Sequence, residues 1–357
     1  MKVEELMTVL DEIAPFKDSE KWDNTGLLVG DQKSDVSGIL TTLDCAHETV
    51  EEAIKAGANV IIAHHPIIFP EISQIIESGT GSVIRSLIKN DIALIAMHTN
   101  LDHQPNGVSH MIAETLGFNE TEMLIKHEYF YKKLRVNIPK EDVEQLKKDL
   151  SAAGVGHQGD YSECFFEYAV KGQFRPNENA DPYIGKQGEL EHVDEYIVEA
   201  IFETAHENQV IEALIASHPY EEPVYDVLTL KKPSDKGLGV QFSYDGTLVD
   251  LVSLIESNIG RNVVNIVDGG NESIKRVGII GGAGMSYVDD AFSQGIDVLI
   301  TGDVKYHEAY DAKLSQMSII DAGHYAESVM AEGLKRLVEP KVNVDVHATS
   351  VSTNPFE

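Results

Sequence analysis

Cysteine is nearly absent: Cys45 and Cys164 are the only two in 357 residues. A single, widely separated pair cannot form a disulfide framework, so the fold must rest on its core. Cys45 reads as a small core residue rather than a soft metal ligand or nucleophile. Basic residues are scarce, with 28 Lys and Arg against 59 Asp and Glu and a net charge of −31. That charge repels phosphate backbones and anionic lipid surfaces. It argues against a nucleic-acid or membrane-surface binder, while a local basic pocket for one small molecule stays open. No window reaches the ~18 uninterrupted apolar residues of a transmembrane helix. Met1-Lys2-Val3-Glu4-Glu5-Leu6 carries acids where a signal peptide needs an apolar segment, so the expected location is cytoplasmic. Tryptophan occurs once, at Trp22, and a lone tryptophan is expected to anchor a core.

What remains is an ordinary globular composition, 42% apolar, in a chain long enough for two domains. Val3, Leu6, Val9, Leu10 and Ile13 give an amphipathic opening helix. From Gly38 short apolar runs alternate with helical stretches, the rhythm of βαβ units around a mostly parallel sheet. The rhythm breaks near Lys126. The next segment reads strand 129–138, helix 141–153, strands 165–174 and 193–202, helix 208–216, strand 224–230. That β-α-β-β-α-β order is a ferredoxin-like signature. Beyond Gly239 the alternation resumes. The expected organisation is an α/β domain of residues 1–125 and 240–357, split by an inserted ferredoxin-like α+β domain of residues 126–239.

The chemistry gathers at strand ends. Val60-Ile61-Ile62-Ala63 stops at His64-His65-Pro66, and ligands of open α/β sheets bind beyond the carboxyl ends of strands. Ile92–Met97 runs into His98-Thr99-Asn100-Leu101-Asp102. Asp297–Thr301 ends at Gly302-Asp303, and Ser318–Ile320 leads to His324 and Glu327. Imidazoles and carboxylates together suit zinc, manganese or iron better than calcium. Even without Asp303, read as a helix cap, five such residues exceed the three protein ligands of a catalytic zinc, whereas two ions would use them all. Taken alone, strand-end polar residues also arise as caps and turns. Gly281-Gly282-Ala283-Gly284 lacks the Lys and Ser/Thr of a P-loop and reads as a tight turn. His218-Pro219-Tyr220-Glu221-Glu222 reads as a turn at a domain boundary, and Asp23 and Asn24 as turn residues or supports of the site.

These motifs, together with Trp22-Asp23-Asn24-Thr25-Gly26, resemble those of the GTP cyclohydrolase I type 2 homologues, also called Ngg-one-interacting-factor-three-like proteins. His218–Pro223 is similar to the members that carry an insert. The resemblance implies that His65 and Asp102 hold one ion, His64 and His324 the other, and Glu327 bridges them. It also implies a homohexameric ring with its metal sites facing an internal cavity. This sequence departs from shorter members in spacing Glu327 three residues after His324 rather than four. The implied activity is metal-dependent hydrolysis of a nucleotide-like substrate, opening the purine imidazole ring with release of formate. His98 is the candidate proton carrier. Two divalent ions per chain are expected, zinc first, with iron, manganese or magnesium as alternatives. The alternative function is a non-catalytic metal-binding regulator or scaffold whose insert binds an effector or partner. A two-metal phosphoesterase is a third reading.

Overall fold

The structure is a computed structural model that describes residues 1–69 and 71–356. The chain divides into two compact units, Met1–His127 with Asp235–Glu357, and Glu128–Ser234. It opens with α1 (Val3–Ile13), β1 (Gly26–Val29), β2 (Gly38–Thr42), α2 (His47–Ala56), β3 (Val60–Ala63), α3 (Thr80–Lys89) and β4 (Ala93–Ala96). Then come α4 (Thr99–Asp102), α5 (Val108–Thr115) and the long β5 (Glu122–Pro139), within which the chain passes into the second unit. That unit adds α6 (Val143–Ala152), β6 (Phe166–Phe174), β7 (Glu191–Glu203), α7 (Glu207–Ser217) and β8 (Tyr225–Gly246), and β8 carries the chain back. The remainder is α8 (Leu248–Ile259), β9 (Asn265–Val267), β10 (Ile274–Ile279), α9 (Val288–Ser293), β11 (Val298–Thr301), α10 (Tyr306–Leu314), β12 (Ser318–Asp321), α11 (Met330–Val338) and β13 (Asp345–Ala348).

The architecture is mixed α/β with two sheets, where the sequence predicts one mostly parallel sheet. In the first unit, one sheet runs β1-β4-β3-β2-β13, and the strands β8-β10-β11-β12-β9 follow one another in the other. Both have parallel centres; β1 lies antiparallel to β4 at one edge of the first sheet, and β8 against β10 and β9 against β12 are antiparallel on either side of the parallel strands of the second. Two strands have no counterpart among the expected elements: β9, three residues long, and β13, whose parallel pairing with β2 returns the C-terminal segment to the first sheet. β8 is also longer than its sequence pattern predicts, ending at Gly246 rather than Leu230.

The unbroken apolar run of β3 has a simple cause. Val60 and Ile62 point into a core shared with α1, α5, α8 and α11, where Leu6, Leu10, Ile112, Leu251 and Leu334 are buried. Ile61 and Ala63 point the other way, onto Val50 and Ala53 of α2 and Ile84 and Leu87 of α3. Helices cover both faces, so every position of β3 is buried and no polar alternation survives. Gly57, at φ +73°, ends α2 in the left-handed region just before this strand. On the second sheet the same division sends Val298 and Ile300 into the shared core, and Leu299 and Ile319 towards Ala291 of α9 and Ala312 of α10.

The second unit has the order β5-α6-β6-β7-α7-β8, with strands arranged β6-β7-β5-β8. β7 pairs antiparallel with both β5 and β6. Leu146 and Leu150 of α6 and Val210 and Leu214 of α7 pack on Val136, Ile138, Val198 and Phe202.

Candidate metal centre

All five expected ligands lie in the first unit, and the fold brings them together from three strand ends and two short helical turns. His64 and His65 come directly after the last residue of β3, and their backbone N–H groups donate to Thr42 and Leu43 of the neighbouring segment. Asp102 ends the one-turn helix α4 after β4. His324 and Glu327 sit in a 3₁₀ turn, His324–Val329, after β12. A 3₁₀ turn eclipses residues three apart. The three-residue spacing thus brings His324 Nε2 to 3.3 Å from Glu327 Oε2. Among the described residues, three sets have ligand atoms close enough to hold a metal ion: His64, His65 and His98; His65, His324 and Glu327; His64, Asp102 and Glu327.

Glu327 is common to two of these sets, but the pairing differs from the one the family resemblance implies. His64 goes with Asp102, at 3.6 Å from Nε2 to Oδ1, and His65 with His324, at 3.3 Å between Nε2 atoms. Successive residues leaving a strand project to opposite sides. Each imidazole therefore meets the loop on its own side.

The Nδ1 atoms are committed elsewhere. His64 Nδ1 donates to the Met97 carbonyl at 2.8 Å, and His65 Nδ1 to Asp44 Oδ1 at 2.7 Å. His324 Nδ1 donates to Asp303 Oδ2 at 2.7 Å, and His98 Nδ1 to Asp23 Oδ1 at 2.9 Å. Carbonyls and carboxylates only accept, so Nδ1 carries the proton and, in a neutral ring, Nε2 presents a lone pair to the centre. This is how metal-binding histidines are usually oriented. Asp303 is therefore no helix cap, in contrast to the expectation from sequence. Lys305 is the residue before α10, and Asp303, at φ +55°, is held where it meets His324. Asp23 also accepts from Thr99 N and Oγ1, and so supports the site as well as the turn. Asp44 is a further member of the site that sequence reasoning did not single out. Its signal is its position at the end of an apolar run on the same sheet edge as His64.

The electrostatics suit a cation. Burial pushes His64 down to about 3, leaving it neutral. Its Nε2 is buried without a hydrogen-bond partner, facing the Asp102 and Glu327 carboxylates, and Glu327 Oε2 is likewise unpartnered. A buried lone pair aimed at two carboxylates costs roughly 1–3 kcal/mol per unsatisfied group. A cation between them removes that cost, so the donor set fits a divalent ion. Burial lowers His65, but the carboxylates of Asp44 and Glu327 outweigh it and raise its pKa to about 10. Glu327, with Asp303, raises His324 to about 9 against burial. Burial alone would push Glu327 up, yet the imidazoles of His324 and His65 hold it well below the usual carboxylate range. Burial and the Glu327 charge together drive Asp102 well above its ordinary value. Cys45 plays no part: it is buried, and burial pushes its thiol up to about 12.

The Gly281–Gly284 loop belongs to this centre. A Cβ on Gly281 would lie 2.7 Å from Glu327 Oε1, so glycine is what lets the loop close over the carboxylate. Trp22 corrects another expectation. It is 58% exposed rather than a core anchor, and its ring meets His98 edge-on at 6.1 Å and Phe69 at 5.8 Å. No local pattern could signal this, because Phe69 is remote from Trp22 along the chain.

Known proteins resemble this chain over its whole length. The family described as Duf34/NIF3 (NGG1p interacting factor 3) matches residues 1–355. A Staphylococcus aureus protein named GTP cyclohydrolase 1 type 2 homolog is 43% identical over 364 residues, covering 100% of both chains. A Staphylococcus epidermidis protein of the same name is 41% identical over the same span. The crystal structure of Staphylococcus aureus protein SA1388 is similar at a TM-score of 0.83 and 40% identity, covering 100% of this chain and 98% of that one. That of a Bacillus cereus protein related to NIF3 has a TM-score of 0.71 at 35% identity, covering 100% and 99%. With a match that runs the length of the chain, this protein belongs to the Duf34/NIF3 family.

Proposed function

We propose that the chain is a two-metal hydrolase of GTP cyclohydrolase type, opening the purine imidazole ring of a nucleotide-like substrate and releasing formate. The observation that carries this reading is the buried His64 Nε2 lone pair facing Asp102 and Glu327, a geometry suited to a cation. His64 and Asp102 would hold one ion, His65 and His324 the other, with Glu327 reaching both. Zinc is the first choice, with iron, manganese or magnesium as alternatives. Divalent ions held there would supply a nucleophile at neutral pH, by lowering the pKa of water, and would offset negative charge on the substrate. Asp44 and Asp303 fix the imidazoles, and His98, oriented by Asp23, moves the proton. The exposed Trp22 beside His98 offers a flat face to a heterocycle. The same reading includes a homohexameric ring in the cytoplasm and residues 126–239 as a ferredoxin-like inserted domain.

The test is incubation of metal-loaded protein with GTP, with formate and inorganic phosphate assayed in parallel. Formate release that disappears in His65→Ala supports the cyclohydrolase. Phosphate without formate would point to a phosphoesterase. Tight binding of two ions with no turnover would leave the regulator or scaffold reading.

A further inference from the structure

The second unit contains a cavity of about 500 Å³ that has no part in the metal centre. Its size is that of a small-molecule site. Three aromatic residues line it: Phe174 at the end of β6, Tyr183 in the β6–β7 loop, and Tyr220 after α7. Tyr220 is central, its ring 5.9 Å from Phe174 and 6.3 Å from Tyr183. Glu195 of β7 also lines the cavity and is only 6% exposed. It accepts the Tyr220 hydroxyl at 2.9 Å and, more weakly, the Asn137 amide at 3.4 Å. Gly172 lies beside it, and a Cβ there would come within 2.7 Å of Glu195 Oε2, so glycine leaves that carboxylate uncovered.

Charge selects the class of occupant. Glu195, Glu221 and Glu222 are the acids of the wall, while the one lining cation, Arg175, donates to the Gly188 carbonyl. A phosphate or carboxylate ligand would meet net repulsion. A divalent metal ion is also a poor fit. Among the described residues, the groups whose ligand atoms converge closely enough all lie in the first unit. Aromatic faces combined with carboxylates suit a cation that is weakly hydrated and partly apolar. We propose that this cavity binds a small organic cation, an alkylammonium or guanidinium group, whose charge is set against Glu195 and whose carbon atoms pack on Tyr220, Tyr183 and Phe174.

Calorimetric titration of the full-length protein with spermidine, choline and arginine amide tests this, with glutarate and AMP as anionic comparators. At least one of the cations should bind saturably at one site per chain, and the anions should not. Glu195→Gln should weaken that binding about tenfold. Tyr183→Ala, a change at a half-exposed ring that the core does not need, should weaken it several-fold. Metal removal and His65→Ala should leave it unchanged, which separates this site from the proposed hydrolase. Three outcomes overturn the proposal: no saturable cation binding below about 10 mM, equal binding of the anions, or binding that Tyr183→Ala leaves intact in a folded protein. The last would indicate attraction by overall negative charge alone.

Discussion

His64 in the first unit and His218 in the second are both buried imidazoles near carboxylates, 1% and 7% exposed. Each comes just after the end of a regular element, β3 for one and α7 for the other. Their hydrogen bonding differs. His218 Nε2 donates to the Asn137 carbonyl at 2.7 Å, and its Nδ1 accepts from Tyr220 N at 3.1 Å, so both nitrogens are satisfied within the protein. His64 uses only Nδ1, and its Nε2 faces Asp102 and Glu327 without a hydrogen-bond partner. Composition does not separate the two, but satisfaction does. A buried imidazole with two partners is structural, whereas a leftover lone pair that faces two carboxylates, as at His64, suits a cation.

The strongest way to break this contrast is Glu327→Gln. Glu327 belongs to both ligand sets, so this variant should lose both proposed ions, weakening metal binding by more than about a hundredfold, since even supporting partners are worth 10–100-fold. Elemental analysis after gel filtration reads it. Retained stoichiometric metal would show that the unpartnered atoms had been misread.

Asp44→Asn and Asp303→Asn come next. Each leaves the proposed ligands intact but removes the charge orienting His65 or His324. Metal affinity should fall about 10- to 100-fold by competition with a chromophoric chelator.

His218→Gln tests the other side of the comparison. It should cost about 1–3 kcal/mol of stability in urea and leave metal content unchanged. Burial lowers the folded-state pKa of His218, outweighing the hydrogen bond to Asn137 and the charges of Glu195 and Asp142. The unfolded chain therefore binds the extra proton first. The His218 contribution is present above the ordinary histidine pKa, about 6.5, and is lost as pH falls from there towards the lowered value. Wild type should lose more stability between pH 7 and pH 5.5 than His218→Gln.

The smallest effect is expected for Trp22→Leu. The side chain is more than half exposed, so stability should change by no more than about 0.5 kcal/mol and metal content not at all. As the only tryptophan, Trp22 also gives a clean fluorescence signal. Guanosine should quench it in metal-loaded wild type and ribose 5-phosphate should not. Equal responses would remove the stacking role.

Much of the centre is legible without the fold. An apolar run buried on both faces has to end somewhere, and the residues just beyond its carboxyl end lie where ligands of such sheets bind. His64, His65, Asp102, His324 and Glu327 can therefore be named from adjacency to such runs. The helices with clear periodicity, such as α1, are equally readable, because their pattern is local. β13 is not, since Asp345–Ala348 is a strand by virtue of pairing with β2, some three hundred residues earlier in the chain. Nor is Asp303 recognisable as a partner of His324. A carboxylate after a strand looks the same in sequence whether it caps a helix or orients an imidazole.

The sequence by itself determined which residue types stand at which strand ends, because hydrophobic periodicity and chain breaks are local properties. Tertiary structure decided which candidate ligand stands beside which, that the strands divide between two sheets, that Trp22 is exposed, and that one buried histidine is satisfied while another is not. Those outcomes depend on the approach of segments distant in sequence, and a linear pattern carries no record of distance in space.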